Sequence, residues 1–140
     1  MNKTAKKIYL GIDYGERNIG LAFGTNKLPS PLQIIDGKNP NTAINEIARI
    51  VIENKVTNII VGLPLTQDEK ETTQSLKVRR FIKLLKIRVK RPVTFVNEAY
   101  TSEESQEEMI ELHISQKRRR TVDQFSAALI LKRFFDEETE

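Results

Sequence analysis

Apolar and polar positions alternate from the first ordered stretch onward. Ile8, Leu10 and Ile12 alternate with Tyr9, Gly11 and Asp13, the period-two pattern of a strand. Tyr14-Gly15-Glu16-Arg17-Asn18 reads as a turn, after which Ile19, Leu21 and Phe23 resume the alternation, so the two strands are predicted to form a hairpin. Pro29 and Pro31 interrupt the pattern and leave a short third strand over residues 32–35. Ile44, Ile47, Ala48 and Val51 fall at i, i+3, i+4 and i+7, which predicts an amphipathic helix capped by Asn41 or Thr42. Residues 58–63 are apolar almost throughout, as in a strand buried on both faces. A second helix is predicted from about Thr73 to Arg88 with Val78, Phe81, Ile82 and Leu85 inward, and a fifth strand over residues 92–98. Thr101-Ser102-Glu103-Glu104 and Thr121-Val122-Asp123-Gln124 read as capping boxes. They open a third helix and a last one that runs to about Phe135.

This order of elements predicts an α/β fold. Three strands joined by hairpin-like links precede alternating helices and strands, which gives a mixed sheet with helices on its faces. Right-handed crossovers place the later strands beside the first, so the predicted order is 3-2-1-4-5, with the fourth strand parallel to the first. The 140 residues, without repeats, fit one domain over residues 1–140. No cysteine and a single histidine exclude disulfides, thiolate zinc sites and histidine-rich metal centres. No stretch reads as a signal peptide or a membrane span, so the expected location is cytoplasmic. A net charge of +4 favours a polyanionic partner.

Three carboxylates stand out. Asp13 ends an apolar strand among Gly11, Gly15 and Gly20, and a carboxylate there must be paired, solvated or bound to a cation. Asp123 shares a helical stripe with Ala127, Ile130 and Phe134. Glu98 ends the fifth strand just before a helix start, where α/β sheets gather functional residues. Taken singly, each has an ordinary alternative: a turn residue at Asp13, a solvated strand end at Glu98, and at Asp123 a carboxylate stabilised by the helix dipole by roughly 0.3–1 kcal/mol. Taken together they suit magnesium or manganese, hard cations that bind oxygen and need few protein groups. Two such ions can activate water against a phosphodiester without histidine or cysteine. The basic residues supply the partner. Lys117, Arg118, Arg119 and Arg120 directly precede the Asp123 helix, and Arg79, Lys83, Lys86 and Lys90 form one stripe if the second helix continues that far. The first cluster is expected to grip phosphates, the second to be a solvated face.

Four segments, at this spacing, resemble the YqgF (RuvX-like) family of pre-16S rRNA nucleases and Holliday-junction resolvase-like proteins. They are Tyr9-Leu10-Gly11-Ile12-Asp13-Tyr14-Gly15 with Asn18-Ile19-Gly20-Leu21-Ala22; Ile59-Ile60-Val61-Gly62-Leu63-Pro64-Leu65; Asn97-Glu98-Ala99-Tyr100-Thr101-Ser102; and residues 122–131 around Asp123. The resemblance implies a ribonuclease H-like fold and a divalent-metal nuclease of structured nucleic acid. It carries the catalytic and metal-binding roles onto Asp13, Glu98 and Asp123. Processing of the 5′ end of pre-16S rRNA is the expected activity, by a monomer or weak homodimer. A Holliday-junction nuclease, or a silent module for nucleic-acid binding or ribosome assembly, is the alternative. The family's Asp-Glu-Arg is here Asn97-Glu98-Ala99, which loses one acid and one arginine and motivates the silent alternative.

Overall fold

A computed structural model of the chain describes residues 6–98 and 122–138, with the backbone alone at 122–124. The helix expected after Thr101, the Thr121 cap, and Lys117, Arg118, Arg119 and Arg120 lie outside the described residues. The strands β1 (Tyr9–Asp13), β2 (Asn18–Thr25), β3 (Leu28–Asp36), β4 (Asn58–Leu63) and β5 (Val93–Asn97) form one sheet in the order β3-β2-β1-β4-β5. β1–β2 and β2–β3 pair antiparallel, while β1–β4 and β4–β5 pair parallel, as the crossover rule requires. Helices α1 (Pro40–Glu53), α2 (Thr73–Arg88) and α3 (Val122–Glu138) complete the described elements.

Several expectations change in detail. β3 is continuous over Leu28–Asp36 and includes Pro29 and Pro31, which pair opposite Gly24 and Ala22. The strand lies at the sheet edge, where a residue without an N–H can be accommodated. A two-residue turn, Asn26-Lys27, joins it to β2 with both φ values positive (53° and 63°), the handedness that matches strand twist. α1 is capped by Asn39, not Asn41 or Thr42: its side chain accepts from the Thr42 N–H, and Pro40 takes the first turn, where its missing donor costs nothing. α2 ends at Arg88, so Lys90 is not on its stripe. α3 runs on to Glu138.

Two cores sandwich the sheet. Leu10, Ile12, Ile59, Val61 and Leu63 meet α1 and α2 through Ile44, Ile47, Val51, Val78 and Leu85. On the other face Tyr9, Ala22, Ile60 and Val96 meet Ala127, Ile130, Leu131 and Phe135 of α3. The start of α2 is fixed to the end of β4. Thr72 and Ser75 cap it reciprocally, and the Thr72 hydroxyl also donates to the Pro64 carbonyl at 2.7 Å. Among the described residues no helix is long and apolar enough to cross a membrane.

Candidate active site

Alternation along β1 sends Tyr9, Gly11 and Asp13 to the α3 face and leaves Leu10 and Ile12 to α1 and α2. Asp13 is the last residue of β1 and is half-buried. The parallel strands β4 and β5 end beside it. Leu63 pairs with Asn97, and the Glu98 N–H then donates to the Leu63 carbonyl at 3.1 Å, which extends the ladder by one residue. The Glu98 side chain folds over Gly62. A Cβ at Gly62 would stand 2.7 Å from Glu98 Cδ, 2.8 Å from Oε2 and 2.5 Å from Ile130 Cδ1. A side chain there would push the tips of Glu98 and Ile130 aside, so the glycine is what lets this carboxylate lie against the sheet under α3.

Asp13 and Glu98 therefore converge on one face at the C-terminal ends of their strands. Burial, and next the negative charge of Asp13, push the Glu98 carboxyl up to about 8, and the Arg133 guanidinium on α3 partly offsets them. A half-buried glutamate facing a second carboxylate holds a proton that a cation would displace. This donor set consists of hard oxygens, which fits a divalent cation such as magnesium. Among the described residues no group of three potential ligands is assembled. Asp123 falls in the first turn of α3, with its side chain outside what is described.

Asn97, the departure from the family pattern, shares a register position with Leu63, a member of the core under α1 and α2. It thus belongs to the opposite face from Asp13 and Glu98, a separation that follows from strand alternation alone. Ala99 lies outside the described residues.

Three of the six α2 cations are committed within the chain. Arg79 makes two hydrogen bonds to Glu71 (2.9 and 2.8 Å) and lies 5.2 Å from the centre of the Phe95 ring. Lys77 pairs with Glu16 at 3.0 Å, and Arg88 donates to Asn45. Sequence reasoning missed these partners and the seat at Gly62. The partners are distant in sequence, whereas Gly62 carried a signal as the one glycine in an otherwise apolar strand.

A family model described as "RuvX: Holliday junction resolvase" matches residues 7–137. A protein of Roseiflexus sp. (strain RS-1) named "Putative pre-16S rRNA nuclease" is 35% identical over 130 residues, 91% of this chain and 92% of the relative. Among solved structures, T. thermophilus RuvC in complex with a Holliday junction substrate superposes with a TM-score of 0.63 at 10% identity, covering 95% of this chain and 96% of that one. The Fowlpox virus resolvase, in complex with Holliday junction DNA, gives a TM-score of 0.60 at 14% identity, covering 95% and 99%. These structures share the ribonuclease H-like fold. Family model and sequence identity together extend over nearly the whole chain, and the chain belongs to the RuvX family.

Proposed function

We propose that this chain is a divalent-metal nuclease that hydrolyses phosphodiester bonds of structured nucleic acid, and that its substrate is the 5′ end of pre-16S rRNA. The observation that carries the reading is the convergence of Asp13 and Glu98 under α3, with Glu98 raised to about 8. In the proposed site Asp13, Glu98 and Asp123 are the metal-binding and catalytic residues. The register of α3 supports Asp123. Phe135 stands against Tyr9 and Gly24, and Leu131 and the Ala127 carbonyl against Gly11. A four-residue helical step rises about 6 Å and a two-residue strand step about 6.7 Å. The next step along β1 therefore brings Asp13 opposite the turn of α3 that holds residues 123–127.

Magnesium or manganese bound there supplies an activated water and stabilises the leaving oxygen. The protein's part is placement. Asp13 and Glu98 would hold the cation through carboxylate oxygens at the sheet end, Glu98 as the carboxylate with its proton lost to solvent. Ile130 and the α3 turns above Gly62 keep bulk water from that side. Lys117, Arg118, Arg119 and Arg120, directly before α3 in sequence, are the proposed phosphate grip. The name of the Roseiflexus relative supports the RNA substrate. The family's description and the two junction-bound structures favour a second reading, a four-way DNA junction.

Purified protein incubated with both substrates tests this. Cleavage of the pre-16S fragment in magnesium, and its loss in EDTA or in Asp13→Asn, is the expected result. Cutting of the junction alone would move the assignment to the second reading. Binding without any cleavage would leave a silent binding module.

A further inference from the structure

On the sheet face opposite Asp13, a cleft of about 170 Å³ opens beside the β1–β2 turn. Its floor is apolar: Tyr14, Pro40, Phe81 and Leu84. The Tyr14 ring packs on Phe81 with centroids 4.6 Å apart and planes tilted by 33°. Lys77, Arg80 and the Glu16 carboxylate form its rim. Lys77 is held by Glu16, whereas Arg80 is exposed and makes no ion pair among the described residues. Tyr14 is also the residue after Asp13, and consecutive Cα atoms are about 3.8 Å apart. The cleft and the candidate active site are thus the two sides of one sheet end.

A small apolar floor with a cationic rim matches one component of a nucleic acid: an unstacked base over an aromatic ring, its phosphate against a guanidinium. Pockets that enclose a whole small molecule run to roughly 300–1,000 Å³. This one is too small for that, so its occupant must be a piece of something anchored elsewhere. A strand held at Asp13 has only to pass over the β1–β2 turn to reach it.

We propose that the Tyr14–Arg80 cleft is a subsite for one unpaired nucleotide of the substrate strand, adjacent to the scissile phosphate. This inference rests on the nuclease reading and narrows it: the preferred substrate is a junction between paired and single-stranded nucleic acid.

The test uses the full chain carrying Asp13→Asn, so that binding is read without cleavage. Two fluorescent RNAs with the same number of phosphates serve as probes, a blunt hairpin and a shorter hairpin with an unpaired extension. Tyr14→Leu keeps an apolar group on Phe81 but removes the ring. It is expected to weaken binding of the extended hairpin about ten-fold, the loss of one base stack, and to leave the blunt one within about two-fold. Tyr14→Phe is expected to bind both as the parent does. Arg80→Ala, a substitution at an exposed position, is expected to flatten the log-affinity against log-salt slope for the extended hairpin by roughly 0.7, one single-strand phosphate. Parental affinity and slope in both Tyr14→Leu and Arg80→Ala, or equal weakening of both hairpins, would overturn the subsite and leave the nuclease reading standing. If the parent protein binds neither RNA, the RNA-substrate reading falls, and the subsite with it.

Discussion

On the face packed against α1 and α2, β1 and β4 present Leu10, Ile12, Ile59, Val61 and Leu63, all nearly inaccessible. On the face packed against α3, the same strands present Tyr9, Gly11, Asp13, Ile60 and Gly62. The first face fills space with branched side chains, as a parallel sheet under helices does. The second gives up side-chain volume. A Cβ at Gly11 would stand 2.9 Å from the Ala127 carbonyl, and one at Gly24 2.7 Å from the Phe135 ring. α3 therefore rides close to the backbone, and at the strand ends the freed space is taken by carboxylates. One sheet thus divides by strand parity, with branched side chains on one face and, on the other, close helix packing and the candidate site.

The division can be broken by substitutions on either face. Asp13→Asn is expected to lower the hydrolysis rate at least about a thousand-fold, because several kcal/mol of charge stabilisation would go with the cation it is proposed to gather. Above pH 8, where Glu98 is ionised as well, its thermal midpoint should not fall, since one of two facing negative charges is removed. A comparable loss of stability would place Asp13 in the structural half. Ile59→Ala is the mirror experiment. This side chain is 1% exposed, and its truncation is expected to cost about 2–5 kcal/mol in a denaturant titration. The rate per folded molecule should remain. A specific rate that dropped with it would show that the faces are not separable.

Glu98→Gln sharpens the comparison through pH. The folded carboxyl titrates at about 8, against 4.5 for an ordinary glutamate. Folding therefore favours its protonated form. Metal-free wild type should lose stability as pH rises from about 4.5 to 8 and then level off, by a few kcal/mol at most. The glutamine variant lacks that decline, so its advantage should be absent at acid pH and largest above pH 8. Added magnesium should raise the wild-type midpoint more than the variant's. A constant offset between the two curves from pH 4 to 9 would contradict the placement of Glu98. The smallest effect is expected from Gly62→Ala. Its methyl must displace Glu98 or Ile130, and a misplacement of order 1 Å costs about a hundred-fold in rate. Full activity there would show that Glu98 is not needed in its observed position.

Much of this division can be read from the letters. Alternation in residues 8–13 and 19–23 and the apolar run at 58–63 specify strands, and their spacing allows few sheet orders. Asp13 was visible as a charge ending an apolar strand. The length of β3 was not, because proline signals a break unless the strand is known to be at an edge. Nor was the fate of the basic stripe on α2. Arg79 reads as a solvated or phosphate-binding cation until the fold brings Glu71 and Phe95 to it. The converse holds at Gly62 and Glu98, 36 residues apart in number but in contact through adjacent parallel strands. Pairwise meetings of this kind are properties of register, which a single sequence encodes only through the whole sheet.

The prolines of β3 bear on how the molecule behaves in a crowd. An unpaired strand at the margin of a sheet invites another chain to add itself, and such additions seed aggregates. Backbone donors of residues two apart point to the same side of a strand, so the missing donors of Pro29 and Pro31 fall on one side together. The pairing with β2 persists around them. An incoming strand would find a stretch of margin with nothing to offer its carbonyls. Concentration tolerance is thereby written into two residues that lie outside the candidate site.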